Sequence, residues 1–334
     1  MINKNIKKKD SVVYGLMSTK NNNPKGIIFI LLAMMVFSVQ DSIMKYIFNF
    51  ASLYEVYLVR TLVSFTLILL FLKLTKKPVV FKSKYPLLTF IRVILFFFGF
   101  SFFYVSLTVL PLATATALFF VTPFLITIFA SIFLKEEVGI RRWSAVIIGF
   151  VGVYVILNPD FNNFDFMTLT PILCAICYSL SMIIIKKTSD KDNVYTITFT
   201  FYIGAIIISS IFYLFMGDGQ FYKQGNPAYE YIFREWFQNL EASMLLMIIT
   251  GFTASAAFLL LFTAYSVASP SVISPFEYSI LLWSSLSGWI FFNEVPNLNT
   301  IIGTLIIVTC GVYIFIREKV KEQSQSIVTE KPLR

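Results

Sequence analysis

Long apolar runs alternate with short polar stretches along the chain from residue 26 to residue 316. A helix needs about 20 consecutive apolar residues to cross the hydrocarbon core of a bilayer. Continuous runs of roughly this length fit helices better than the short alternating segments of a membrane β-barrel. The ten runs cover residues 26–48, 54–72, 86–107, 112–134, 142–157, 168–186, 195–216, 243–266, 271–292 and 299–316. The pattern predicts an all-α integral membrane protein with ten transmembrane helices.

The composition agrees with this prediction. Of the 334 residues, 57% are hydrophobic and 13% are charged, whereas a soluble domain has roughly 25% charged residues. The three cysteines all lie in apolar runs and give no disulfide framework. The net charge of +9 is explained by membrane topology and anionic lipid headgroups, so no nucleic-acid partner is expected.

The basic residues predict the orientation of the chain. With the N-terminus in the cytoplasm, the tails and cytoplasmic loops hold most Lys and Arg residues, whereas the outer loops hold only Lys223 and Arg234. Cytoplasmic loops of membrane proteins are enriched in Lys and Arg. We therefore expect both termini in the cytoplasm, with a flexible tail at residues 1–25 and a second tail at residues 317–334.

The second half of the chain repeats features of the first half. The corresponding pairs are Glu137 and Glu294, Gly152 and Gly311, and Lys45 and Lys186. Each half holds five predicted spans, at residues 26–157 and 168–316, joined by an outer loop at residues 158–167. An odd number of spans gives the halves opposite orientations, and such inverted repeats are typical of transporters that work by alternating access. The sequence predicts two inverted five-helix repeats.

Two stretches resemble a known family. They are LPLATATALFFVTPFLITIFASIFLKEEVGIRRWSAVIIGFVGVYVI, starting at Leu110, and SPFEYSILLWSSLSGWIFFNEVPNLNTIIGTLIIVTCGVYIF, starting at Ser274. They are similar to the EamA domains of the drug/metabolite transporter superfamily, and the resemblance covers residues 26–316. It implies a secondary transporter in the inner membrane of a bacterium, with amino acids, cofactors, sugars or nucleotide-like molecules as substrates. Similar bacterial members include transporters for riboflavin or S-adenosylmethionine, and the resemblance allows a homodimer with a seam on spans five and ten.

Ionisable side chains inside the spans are candidates for the transport site, because a charge at the bilayer centre costs at least about 2.5 kcal/mol. Asp41 and Lys45 share one face of span one, where they either line a cavity or neutralise each other. Gln40 could join either group. Arg60 could form an interhelical ion pair or bind the ligand, and Arg92 could line the cavity or extend to the headgroups.

Proline residues predict backbone breaks in corresponding spans of the two halves. Pro123 in span four is expected to free the carbonyl of Phe119, and Pro275 in span nine that of Ser271, unless Pro275 merely starts its helix. Paired breaks of this kind indicate the binding site of a transporter. Glu277 lies beside the second break.

The chain has no histidine, so coupling to protons would require a carboxylate. Asp41 and Glu277 are the coupling candidates. Glu277 could instead neutralise a cationic group of the substrate or form an internal ion pair with an arginine. Aromatic and hydroxyl side chains with a few charges suit a small organic ligand. The remaining substrate-binding candidates are Tyr104, Phe119, Thr122, Tyr178, Ser274, Tyr278 and Trp283.

The outer loop after span seven contains an apolar stripe at helical spacing. It predicts a helix near residues 228–240 that lies in the outer interface, with a lid over the outer mouth as the alternative.

Together these features predict a secondary transporter for a small polar or zwitterionic metabolite, such as an amino acid or a cofactor-like molecule. Transport would be proton-coupled or by exchange. The alternative is an uncoupled facilitator or a broad-specificity exporter of the same superfamily. With no histidine and no cluster of nucleophiles or metal ligands, an enzyme is not expected, nor is a bound metal or cofactor.

Overall fold

The computed structural model describes residues 23–76, 82–133, 135, 140–158, 166–188, 191–192, 194–267 and 274–329. All regular elements in these residues are helical. The α-helices are α1 (Asn23–Ile47), α2 (Leu53–Leu74), α3 (Pro86–Ser106), α4 (Leu112–Phe119), α5 (Thr122–Phe133), α6 (Ile140–Leu157), α7 (Thr170–Thr188), α8 (Val194–Met216), α9 (Pro227–Phe233), α10 (Leu240–Val267), α11 (Ser279–Phe292) and α12 (Leu298–Thr329). Short 3₁₀ helices, Phe166–Leu169 and Ser274–Tyr278, precede α7 and α11.

Within the described residues, seven helical stretches are long and apolar enough to cross a membrane, namely α1, α2, α3, α4 with α5, α7, α8 and α10. Shorter apolar helices lie in α6 and at the start of α12. The predicted all-α, multi-pass membrane fold is therefore confirmed. Most of the predicted tail at residues 1–25 and of the loop at residues 158–167 lies outside the described residues, whereas α12 continues through most of the predicted tail at residues 317–334.

The helix of span four breaks at the expected place. α4 ends at Phe119 and α5 begins at Thr122. The Thr122 hydroxyl donates a hydrogen bond to the Phe119 carbonyl oxygen, which satisfies the acceptor that Pro123 cannot serve. The Thr122 side chain thus forms its hydrogen bond with the backbone of its own span.

Span nine begins differently from the expectation. A 3₁₀ turn covers Ser274–Tyr278, and the α-helix starts only at Ser279. Glu277 therefore lies in a tight turn before α11, not inside a continuous α-helix. Ser271, whose carbonyl was expected to be freed, lies outside the described residues.

The predicted interfacial helix is shorter than its apolar stripe. α9 begins where the Asn226 side chain accepts hydrogen bonds from the backbone N–H groups of Ala228 and Tyr229, as an N-cap residue does. It ends at Phe233, because Arg234 has the extended values φ −59° and ψ 140°. Phe237 then has a left-handed φ of 61°, so residues 234–239 form a turn instead of the rest of a helix.

Each helix contact described below recurs when both helices are replaced by their counterparts in the other half. α1 packs on α10, and α7, the first helix of the second half, packs correspondingly on α3. α1 also packs on α11, and α7 on α5. Three contacts join counterparts directly, namely α2 with α8, α4 with α11 and α6 with α12. This exchange pattern is the one expected of two inverted repeats.

Small residues bring α6 and α12 close together. A Cβ atom added to Gly152 would lie 2.9 Å from the Gly303 carbonyl oxygen. Gly152 thus permits a close contact between spans five and ten of one chain.

Candidate functional site

A buried polar network joins α1, α2 and α3 through one hydroxyl group. The Tyr104 hydroxyl donates to Asp41 Oδ1 at 3.2 Å and accepts from Gln40 Nε2 at 3.0 Å. It also lies 3.3 Å from Arg60 Nη1, which donates to it. Gln40, Asp41 and Tyr104 are at most 9% exposed. The structure therefore brings together four of the predicted site residues, with a carboxylate and a guanidinium sharing one hydroxyl.

Aromatic rings partly compensate the charge of Arg60. Its guanidinium lies 5.4 Å from the ring centroid of Tyr57 and 5.8 Å from that of Tyr104, which are cation–π distances. The guanidinium also interacts electrostatically with Asp41. Among the described residues, no carboxylate lies within 4.0 Å of Arg60. The expected interhelical ion pair of Arg60 is thus replaced by a hydroxyl, two rings and a carboxylate at longer range.

Arg60 lies at the wall of an aromatic pocket between α2, α3 and α8. The lining residues are Tyr57, Arg60, Thr61, Phe96, Phe97, Phe100, Phe201 and Ala205. The free space in this pocket is about 10 Å³, far less than the roughly 300–1,000 Å³ of typical ligand sites. A metabolite would fit only if the surrounding helices moved apart.

A chain of aromatic contacts connects the network to the second half of the molecule. The Phe103 ring lies 5.6 Å from that of Tyr104 and 6.0 Å from that of Phe119. Phe119 in turn packs against Tyr178 at 5.4 Å. Tyr178 also packs edge-on against Phe96 at 5.9 Å. The predicted residues Phe119 and Tyr178 therefore lie beside the pocket.

Glu277 lies near the far end of this aromatic chain. Its carboxylate interacts electrostatically with the hydroxyl groups of Tyr178 and Tyr278. Tyr278 packs against Phe120, with ring centroids 5.0 Å apart. Glu277 is thus linked to the pocket through Tyr178.

Lys45 pairs with the opposite half of the protein. Its ammonium group forms an ion pair with Glu294 and donates to the Leu110 carbonyl oxygen at 3.0 Å. Glu294 Oε2 also accepts from the backbone N–H of Leu112 at 3.0 Å. The pair expected between Asp41 and Lys45 is not formed, because each residue has a separate partner.

The Glu294 carboxylate binds the N-terminus of α4 in the other half, where the helix dipole favours negative charge. We call the end of the bundle that contains Lys45, Leu112 and Glu294 the Glu294 end. The repeat gives Lys186 and Glu137 as the counterparts of this pair; the Lys186 side chain and Glu137 lie outside the described residues.

Arg92 does not extend to the headgroups as one interpretation proposed. Its side chain is 1% exposed and lies between α3 and α8. Nη2 donates to Thr200 Oγ1 at 2.9 Å and contacts the Ile197 carbonyl oxygen at 3.4 Å. Arg92 is therefore separate from the Tyr104 network.

The other predicted residues lie apart from the network. Trp283 packs beside a cluster formed by Ile30, Ala33, Met34 and Ala264. The Ser274 side chain lies outside the described residues. Two residues that the sequence analysis missed are Tyr57, one turn from Arg60, and Glu294. The sequence signal for Glu294 was that both members of the ion pair recur in the repeat, Lys45 as Lys186 and Glu294 as Glu137.

The EamA-like transporter family matches residues 24–158 and 166–317. The chain belongs to this family. It is 27% identical to the S-adenosylmethionine uptake transporter of Rickettsia prowazekii (strain Madrid E), over 88% of this chain and 93% of that protein. It is also 27% identical to the riboflavin transporter of Vibrio cholerae serotype O1, over 89% of this chain and 95% of that protein. A solved crystal structure of a protein superposes with a TM-score of 0.59 at 14% identity, over 90% of this chain and 98% of that one, which shows a shared fold.

These comparisons confirm the predicted family. Together with the apolar helices they support a multi-pass membrane transporter for a small metabolite, within the drug/metabolite transporter superfamily. They point to a transporter and away from an enzyme.

Proposed function

We propose that the protein takes up a zwitterionic metabolite with an aromatic ring system, and that S-adenosylmethionine is the first substrate to test. The observation that carries this proposal is the Asp41, Tyr104 and Arg60 network beside the aromatic pocket. A zwitterion needs a carboxylate for its ammonium group and a guanidinium for its carboxylate. Rings such as Tyr57 and Phe96 provide faces for a nucleobase.

The relatives' names provide two candidate substrates that differ in charge. S-adenosylmethionine carries an ammonium group, a sulfonium group and a carboxylate, whereas riboflavin has a ring system without these charges. A site for riboflavin alone would not require Asp41 and Arg60 beside the pocket. The paired charges therefore favour the zwitterion over the neutral molecule.

In this proposal transport occurs by alternating access, and the contacts between the halves support it. At the Glu294 end, four polar contacts between described residues cross from the first half to the second. They are the Lys45–Glu294 ion pair, the Leu112 backbone N–H with Glu294 at 3.0 Å, Ser38 with Ser287 at 3.1 Å, and Thr114 with Thr300 at 3.2 Å. A substrate that enters from this end must break them. We infer from the distribution of Lys and Arg that this end faces outward, with both termini in the cytoplasm of a bacterium.

In this proposal Asp41 also carries the coupling proton. It is buried, and its described hydrogen-bond partner is the hydroxyl of Tyr104. Protonation would remove the negative charge that holds the substrate's cationic group. Substrate and proton would then compete for Asp41, so that inward movement of the substrate is coupled to outward movement of a proton.

The test is uptake of labelled S-adenosylmethionine into proteoliposomes, with unlabelled riboflavin as competitor. Asp41→Asn and Arg60→Gln should each lower uptake about tenfold or more, because hydrogen bonds to charged groups contribute about 1.5–3 kcal/mol. The matched controls are Glu241→Gln and Lys223→Gln, at exposed positions, which should stay within about twofold of wild type, as surface changes usually do. Uptake of riboflavin without S-adenosylmethionine would refute the proposal.

A further inference from the structure

Arg92 is a buried cation with unused hydrogen-bonding capacity. It is 1% exposed and is among the largest fully buried side chains of the described residues. Nη2 contacts Thr200 and Ile197, but Nε and Nη1 donate to no described residue. A guanidinium remains charged under all physiological conditions. The free donors therefore require an acceptor that the described residues do not provide.

Asp192 does not provide this acceptor. It is the acidic group that acts electrostatically on Arg92, yet the two lie beyond salt-bridge distance among the described residues. Both Asp192 oxygens are already engaged, since Oδ2 accepts from the Ser83 hydroxyl and Oδ1 from the Lys84 backbone N–H at 2.9 Å. The charge of Arg92 is thus only partly compensated.

Arg92 lies next to the aromatic pocket. Residues four apart share a helix face, so Arg92, Phe96 and Phe100 follow one another along α3, and the last two line the pocket. On α8, Thr200 binds Arg92, and the next residue, Phe201, also lines the pocket. The pocket therefore has Arg60 at its wall and Arg92 about one helical turn beyond Phe96.

We propose that Arg92 binds the carboxylate group of the substrate at a second position, after the substrate leaves Arg60. This inference rests on the proposed function. A carboxylate would accept a hydrogen bond from Nε or from Nη1, which lie on different edges of the guanidinium, and guanidinium–carboxylate contacts are among the stronger hydrogen bonds in proteins. The substrate carboxylate thus moves between two arginines along the aromatic pocket.

The experiment compares ligands that differ only in a carboxylate. Purified protein in a neutral detergent is titrated with S-adenosylmethionine and with its decarboxylated analogue, which keeps the adenine, sulfonium and amine groups. Methionine and methionine amide form a second pair. The detergent contains no anionic lipid, so a lipid headgroup cannot supply the acceptor. Binding is measured by thermal shift and by displacement of labelled S-adenosylmethionine.

Wild type should prefer the carboxylate-bearing member of a pair about tenfold or more, since bonds to a charged partner contribute about 1.5–3 kcal/mol. Arg92→Gln should lose the part of this preference that Arg92 contributes by binding that member more weakly, while Arg60 retains the rest and the carboxylate-free member binds as in wild type. Arg92→Lys, which keeps the charge, should retain more of the preference than Arg92→Gln and gives a second variant if Arg92→Gln does not fold. Lys223→Gln is the control.

The outcomes separate the two proposals. A wild type that binds neither member of either pair refutes the proposed function and this inference together. A wild type that binds both members equally refutes the carboxylate roles of Arg60 and Arg92 together, whereas Arg92→Gln protein that keeps the full wild-type preference refutes the role of Arg92 alone. Equal weakening of both members in both Arg92 variants would assign Arg92 to helix packing and would also overturn the inference.

Discussion

Replacing Glu294 by Gln should shift the bundle towards a form that is open at the Glu294 end. The Lys45 and Glu294 side chains are 8% and 24% exposed. Removing one partner of a fully buried pair costs about 3–5 kcal/mol, and an exposed pair contributes about 0–1 kcal/mol. We therefore expect about 2 kcal/mol for this half-buried pair, or about a 30-fold change in the ratio of open to closed forms.

The change is specific to the charge of Glu294. The Gln side chain has the same size, and its amide oxygen can still accept the hydrogen bond from the Leu112 backbone N–H. What is lost is the attraction to Lys45, which donates to both Glu294 and Leu110. The closed form is thus weakened without a cavity being created.

A cysteine beneath the ion pair can report the opening. Ser287 on α11 is 8% exposed and contacts Ser38 of the other half at 3.1 Å. In Ser287→Cys protein, a membrane-impermeant maleimide should react slowly when Glu294 is intact and about tenfold or more faster in Glu294→Gln, provided that opening limits the reaction. Reagent added to each face in turn also shows which face the Glu294 end adjoins. Protein without the reporter gives the background of the three native cysteines.

Equal labelling rates with and without the Glu294 carboxylate would refute the reasoning. A second check uses Lys45→Met. If the ion pair acts as a unit, the double variant should label no faster than the more reactive single variant. Additive effects would mean that Lys45 and Glu294 act through separate contacts.

Three further changes test other parts of the structure. Asp41→Asn should abolish accumulation driven by a proton gradient, whereas exchange of labelled for unlabelled substrate should persist at raised substrate concentration, as counterflow assays would show. Tyr104→Phe should reduce uptake about tenfold and lower the unfolding temperature, because a buried donor or acceptor left without its partner costs about 1–3 kcal/mol. Gly152→Leu should destabilise the protein by about 1–3 kcal/mol or more through overlap with Gly303, whereas Ala256→Leu at an exposed position should not, as thermal unfolding would show.

Features that depend on local sequence were predicted well. The break before Pro123 follows from the missing N–H group of proline, and it appears between Phe119 and Thr122. The repeated positions and the odd number of spans predicted the inverted halves, which agree with the paired helix contacts. Apolar runs do not show where a helix starts inside the membrane, so the late start of α11 at Ser279 was missed.

The side chains that contact each other across neighbouring helices were predicted poorly. Asp41 and Lys45 share a helix face, but α1 lies between two different neighbours, so Asp41 meets Tyr104 of α3 and Lys45 meets Glu294. Which side chain lies across from a helix depends on its rotation and depth, and a single sequence does not give these quantities. The pocket residue Tyr57 was missed because aromatics form 17% of the chain and do not distinguish a site from lipid-facing positions.

The polar contacts divide into those within the first half and those between the halves. Gln40, Asp41, Arg60 and Tyr104 all belong to α1, α2 and α3, so their network can persist while the halves move. The Lys45–Glu294 ion pair crosses between the halves, as does the bond from Arg92 to Thr200. A movement of α8 away from α3 would therefore free a third nitrogen of Arg92 as it widens the pocket. Arg92 would gain hydrogen-bonding capacity for a carboxylate at the stage when the substrate has room to leave Arg60.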